Sequence, residues 1–373
     1  MQIEIKEVVS GRQLRRFAAF PNMLYKHNAY YVPQLISAEM KVLSAKKNPA
    51  FETCEAKYWL AYEDNTIVGR VAGIINHSYN KKTGKKYARF GWLDFIEKEE
   101  VLHVLIETVQ AWARSKNAKI LHGPLGFSDF DASGVLVEGF NEIPTAYGKY
   151  NFPYYAEFLE KEGFTKETDW MEYNIKVPDV IPEKYLTMAA IVEKRYNLRC
   201  APFSGKKELL TYADGIFQLL NKAYMNLHGF SELSPRQLED LKNNFLPMLQ
   251  LEYVSVVLDA KDKVVAFAIC LPSLSRALQK NRGKMYPFGF IPILRALHKN
   301  DTLDTLLIAI EDEYRDKGVM ALMFRDIGDA IIQNGFTNIE TTRELEDNRN
   351  VQNLWNKLEM RQHKRARCYY KNL

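Results

Sequence analysis

Two apolar runs flank a short polar turn in YWLAYEDNTIVGRVAGI, Tyr58 to Ile74, and the pattern predicts a β-hairpin. SVVLDAKDKVVAFAICL, Ser255 to Leu271, carries the same pattern 197 residues later without a gap. Each half then shows an amphipathic helical stretch, Glu100 to Lys116 and Val319 to Gln333, followed by a short strand, AKILHG or NIETT. Near each end stand FLEKEGF, from Phe158, and LWNKLEM, from Leu354, then the closing strands WMEYNIKV and RARCYYK. The chain therefore repeats itself once. Each repeat runs helix, strand, hairpin, strand, helix, strand, helix, strand, which is mixed α/β without the regular alternation of a doubly wound nucleotide fold.

The copies differ by insertions. The second carries LPSLSRALQKNRGKMYPFGFIPILRALHKNDT between its third and fourth strands; the first carries GFSDFDASGVLVEGFNEIPTAYGKYNFPYY before FLEKEGF. Prolines in VPDVIPEK, at 178 and 182, mark a boundary. Two domains are expected, 1–180 and 181–373, each a central, mostly antiparallel twisted sheet flanked by helices. A length of 373 residues suits two domains.

Composition narrows the function classes. Lysine and arginine (51) exceed aspartate and glutamate (46) only slightly, so no nucleic-acid partner is expected. Neither GxGxxG nor GxxxxGK[ST] occurs. The four cysteines and seven histidines show no metal-ligand spacing, and no metal is expected. No apolar run is long enough for a membrane span, and MQIEIKEVVS alternates like a strand, unlike a leader, so a cytoplasmic location is expected.

The stretch TLLIAIEDEYRDKGVMALMF joins a strand to a helix through Arg315, Asp316, Lys317 and Gly318, the helix beginning at Val319. Unpaired N–H groups and the helix dipole at such a junction favour an anion. This stretch resembles the acyl-CoA pyrophosphate loop of the GNAT N-acetyltransferase superfamily, V-x-P-x-[RQ]-x-x-G-x-[GA]. Arg315 and Gly318 match, while Met320 stands where a small residue is usual. ELEDNRNVQNLWNKLEM is similar to the family's second motif, Asn348 matching its asparagine and Trp355 replacing a tyrosine that often protonates the leaving thiolate. The FLEKEGF motif extends the resemblance to the first half. There Glu97, Glu99 and Glu100 occupy the helix start, so that half is expected to serve as scaffold or substrate wall.

The resemblance implies acyl transfer from acetyl-CoA or another acyl-CoA to an amine of a small molecule or peptide, with Ile310 supplying a backbone donor to the thioester carbonyl. Glu340, Glu344 and Glu346 flank the fifth strand; Glu344 is the expected general base, and Tyr369 or Tyr370 an alternative proton donor. Gly229 and Phe230 in YMNLHGF, Tyr154 and Tyr155 among the insertion aromatics, and Tyr286 are expected at the acceptor pocket. Two other readings stay open: an aminoacyl-tRNA-dependent peptidyltransferase-like enzyme, and a retired acyl-CoA or metabolite binder.

Overall fold

The computed structural model describes residues 2–348, 352 and 358–373. Fourteen strands are present among them: β1 Glu4–Glu7, β2 Cys54–Glu63, β3 Thr66–Asn76, β4 Tyr87–Phe95, β5 Ile120–Gly123, β6 Val135–Glu138, β7 Thr165–Lys176, β8 Arg199–Cys200, β9 Val254–Leu258, β10 Val264–Pro272, β11 Thr302–Ile310, β12 Asn338–Thr341, β13 Glu344–Leu345 and β14 Met360–Asn372. They form one sheet in the order β1-β2-β3-β4-β5-β14-β7-β12-β11-β10-β9-β8, with β6 on β14 and β13 on β7. Pairing is antiparallel except for β4 with β5 and β11 with β12, one parallel pair in each half.

The hairpins form where the apolar runs placed them. Asp64 and Asn65 turn the first one in the left-handed region, as a tight two-residue turn requires. The helix Glu99–Ser115 buries Val101, Leu102, Leu105, Ile106, Val109 and Trp112 against the first half of the sheet. The helix Val319–Gln333 does the same in the second half, packing on the helix Glu183–Tyr196 that follows Pro182.

The closing strands cross over. β14, the end of the chain, lies beside β5 of the first half, and β7 lies beside β12 of the second. The two pair with each other from Met360↔Ile175 to Tyr370↔Thr165. Each half of the sheet is thus completed by the other half's closing strand, and no edge remains at the join.

The parallel pairs are short and then splay. β4 pairs with β5 only through Arg89↔His122, and β11 with β12 only through Thr305↔Thr341. Beyond those points one edge of β4 and one edge of β11 lose their strand partner. Equivalent hydrogen bonds close both strands on the other side: Ile96 N–H to Val68 O at 3.0 Å, and Glu311 N–H to Val265 O at 2.8 Å. Phe95 and Ile310 therefore hold the same place in the two copies, each with its amide facing the splay.

Candidate active site

Buried backbone groups need partners, so the two splays can be compared by what satisfies them. In the first half the Tyr155 hydroxyl accepts from Phe95 N–H at 2.9 Å, and the Tyr154 hydroxyl donates to Phe95 O at 2.6 Å. Tyr25 adds its hydroxyl to Tyr155 at 2.7 Å and to Asp94 at 2.9 Å, and Arg70 pairs with Asp94 at 2.7 Å. The splay is filled. Tyr154 and Tyr155, expected at an acceptor pocket, instead pack into the first-half core and plug the opening of that half.

The second splay opens into a cavity of about 690 Å³. Thr305 to Ile310 of β11 form one wall, and Thr342, Arg343, Glu344 and Leu345 form the facing one. Tyr224, from the end of the helix Ala213–Tyr224, donates its hydroxyl to Ile308 O at 3.2 Å, which marks Ile308 as facing the opening. Alternation places the Ile310 amide on the same side. The first half supplies Tyr79, Lys82, Asp129, Phe130, Asp131, Tyr147 and Trp170 to the remaining walls. Six carboxylates line the cavity, Asp129, Asp131, Asp312, Asp316, Glu344 and Asp347, against Lys82, Lys222, Arg315 and Arg343. That excess attracts a cationic ligand.

Asp129 stands out. Burial pushes its carboxyl up to about 6, against the counter-pull of Arg89, His228, Lys82 and Arg343. Asp131 is also raised to about 6 by burial, but it accepts Ser128 N–H at 2.9 Å and so is held in the loop. Tyr224 feels the charges of both Asp129 and Glu344, and burial raises its hydroxyl well above the ordinary tyrosine range. The β11 edge without a strand partner, its Ile308 and Ile310 carbonyls accepting from Tyr224 and Arg315, thus shares one space with the Tyr224 hydroxyl and two carboxylates. Asp129 was not singled out by sequence reasoning, the DFD acids in a glycine-rich insertion being the available signal, and Tyr224 entered it only as the first residue of the YMNLHGF loop expected at the acceptor pocket.

Of the residues expected at a coenzyme site, Ile310, Arg315, Asp316 and Asn348 line the cavity, as does the expected base Glu344. Lys317, Gly318, Val319 and Met320 do not. Residues Asp312–Lys317 wind into a 3₁₀ turn in place of an open cradle, and Arg315 pairs with Asp312 at 2.6 Å. Lys317 lies over the rings of Tyr196 and Tyr314, Val319 is fully buried, and Met320 packs below the sheet. Met320 therefore does not crowd the cavity. Gly318 has φ +80°, and a Cβ there would meet Met188 at 3.1 Å.

Gly229 and Phe230 lie behind the wall: Gly229 O accepts Arg89 at 2.7 Å, and Phe230 is buried against Tyr224. Tyr286 projects into solvent on the second-half insertion, and Tyr369 donates to Glu160 at 2.9 Å in the first-half core. The strand crossover carries Tyr369 and Tyr370 to β5, away from the second splay. Glu346 accepts Asp169 N–H at 3.1 Å and pairs with Lys166, and Glu340 pairs with His363 at 2.7 Å; neither lines the cavity. Trp355 lies outside the described residues.

A tandem GNAT protein from the clavulanic acid biosynthesis pathway superposes over 100% of this chain and 98% of its own, with a TM-score of 0.56 at 12% identity. The chain has the tandem GNAT fold. No protein-family model matches it. Among curated proteins it is similar to Protein YghO of Escherichia coli, 25% identical over 379 residues that cover 99% of this chain and 95% of the relative. It is also similar to a bacterial ceramide synthase of Caulobacter vibrioides, 24% identical over 301 residues, 78% of this chain and 76% of that protein. The expected fold is thus the observed one, with its closing strands exchanged.

Proposed function

We propose that the chain is an acyltransferase that moves an acyl group from a pantetheine thioester, acyl-CoA in the first instance, to the amine of an amphiphilic acceptor. The contrast between Phe95 and Ile310 carries this reading: equivalent amides, one capped by Tyr155 and the other left at the edge of a large cavity. A pantetheine arm is an extended chain of amides and fits a strand edge that has no strand partner, displacing the Tyr224 and Arg315 contacts to the Ile308 and Ile310 carbonyls. The Ile308 and Ile310 amides would hold it and place the thioester carbonyl near a backbone donor. Beyond the edge, Arg315 and Lys222 would meet the coenzyme diphosphate.

The acceptor enters as an ammonium ion, drawn by the carboxylates of the cavity. Asp129 takes its proton, and the free amine attacks the thioester carbon. The C–N bond forms, the C–S bond breaks, and the second proton on the nitrogen passes to the departing sulfur, toward which Tyr224 turns its hydroxyl, so that the group leaves as the thiol. Phe130, Tyr147, Trp170, Leu227 and Phe245 give the cavity apolar walls suited to a hydrocarbon chain. Similarity to a bacterial ceramide synthase supports an amphiphilic acceptor.

One observation favours a second donor. The turn after β11 holds Glu311, Asp312, Glu313 and Asp316, and its arginine is already paired, so a pantetheine arm without a nucleotide diphosphate, as on a carrier protein, suits it as well. Thiol release with acyl-CoA and with a carrier-borne acyl group, each against short amines and long-chain amino alcohols, tests both readings. Amide formation with the long-chain amines is the expected result. No amide from either donor with any amine would contradict the proposal.

A further inference from the structure

Four side chains that meet where the strands cross over exchange no proton in the chemistry above, although one of them, His228, lines the cavity and acts on Asp129 through its charge. His122 of β5, Glu167 of β7, Cys368 of β14 and His228 of the loop after the helix Ala213–Tyr224 converge so that their ligand atoms lie within 4.8 Å of one another. Glu167 Oε2 stands 3.0 Å from His122 Nδ1, 3.5 Å from His228 Nε2 and 3.4 Å from Cys368 Sγ. A tetrahedral zinc with bonds of about 2.0–2.3 Å has ligand-to-ligand edges of roughly 3.3–3.8 Å; the three separations from Glu167 are near that range, and the remaining pairs lie within 4.8 Å. His228 Nε2 is buried with no hydrogen-bond partner among the described residues. We infer that His122, Glu167, His228 and Cys368 form a closed, structural zinc site that pins the exchanged strands to the loop on the cavity wall. One thiolate, two imidazoles and one carboxylate select zinc over magnesium or calcium, and four protein ligands leave no open position for catalysis. No sequence spacing could reveal it, because the four ligands come from four distant segments.

Metal analysis of chain expressed in zinc-supplemented medium is expected to find one zinc per chain. Chelation should lower the melting temperature and zinc should restore it. His228→Gln, on a loop, should cut the zinc content at least about tenfold, and cobalt-loaded protein should show a sulfur-to-cobalt absorption band that Cys368→Ser removes. Metal-free protein whose melting temperature ignores zinc overturns the inference, as does bound zinc that survives both substitutions.

A separate observation concerns the second-half insertion. Between Arg276 and Lys299 every exposed residue is either basic or apolar: Arg276, Lys280, Arg282, Lys284, Arg295, His298 and Lys299 on one account, Tyr286, Pro287, Phe288, Phe290 and Leu294 on the other. Tyr286 is 82% exposed, Phe288 70% and Leu294 52%. Phe290 and Leu294 make an outward row one turn apart on the helix Phe290–His298, while Ile293 faces the core. Residues 271–300 contain no acid. No helix among the described residues is long and apolar enough to cross a membrane. We propose that this face seats on an anionic lipid surface, its aromatic and aliphatic tips in the acyl boundary and its cations among the headgroups. The same segment packs against Ala146 and Tyr147, the latter a cavity wall, so an amphiphile could pass from the surface toward the site.

Flotation of the whole chain with vesicles tests it. Binding to phosphatidylglycerol vesicles, weakened by salt and at least about tenfold weaker to phosphatidylcholine, is expected, and Phe288→Ser/Leu294→Ser should lose it without changing the melting temperature. No binding to anionic vesicles at physiological salt overturns the proposal. So does a solution dimer that this double variant converts to monomer, which would make the face an interface between copies.

Discussion

Asp129 is the residue on which the proposed chemistry turns, and its environment fixes the sign of two measurements. Its folded-state value of about 6 lies above the ordinary aspartate value, so the folded chain holds its proton more tightly than the unfolded one. The stability this contributes is present below about pH 4 and is lost as pH rises toward 6. Asp129→Asn should then raise stability at pH 8 by about 1–3 kcal/mol, read as a higher melting temperature, while turnover falls by roughly a hundredfold or more. In the parent chain, kcat/KM should climb through about pH 6 as the base ionises. Asp304 offers a control outside the cavity. It is buried beside Glu340, its carboxyl is pushed up to about 8 by burial, and Asp304→Asn should stabilise above pH 8 by denaturant titration and leave the pH profile of turnover in place. The raised values of these two carboxylates are not legible in the sequence, because what raises them is burial delivered by other segments. Glu344 was legible, since its distance past the fifth strand already puts it at the splay.

At the scale of elements, the periodicities carried the hairpins, the two amphipathic helices and the insertions to their observed places. What they could not carry was the use made of equivalent elements. FLEKEGF and its preceding aromatics read the same whether Tyr154 and Tyr155 face a ligand or a strand edge; only the Phe95 hydrogen bonds tell the difference. Tyr155→Phe should leave the buried Phe95 N–H unpaired and cost about 1–3 kcal/mol in chemical denaturation, with turnover per folded molecule unchanged. The turn before Val319 likewise reads as a cradle from its glycine and arginine, yet Asp312–Lys317 form a 3₁₀ turn in which Arg315 pairs with Asp312. Gly318 is required there by its positive φ and by Met188. Gly318→Ala should therefore lower the melting temperature of the ligand-free chain, at a cost of about 1 kcal/mol or more. An unchanged melting temperature would contradict that account of the turn.

For the whole molecule, the repeat in the sequence suggests two domains while the sheet joins them. We propose that 1–180 and 181–373 are structural repeats that fold only together, because each lends the other its closing strand. Residues 1–180 alone would leave β5 unpaired on one side and expose Leu136 and Trp170, so that piece should aggregate or stay unfolded by circular dichroism, and co-expression with 181–373 should rescue it. The central claim is that only the second splay receives the thioester donor. Amide hydrogen exchange with and without a non-transferable acyl-CoA analogue tests it at both places in one experiment. Protection is expected across 306–311, where Ile308 and Ile310 face the cavity, with no change across 93–97. Protection around Phe95, or at neither strand, would contradict the account.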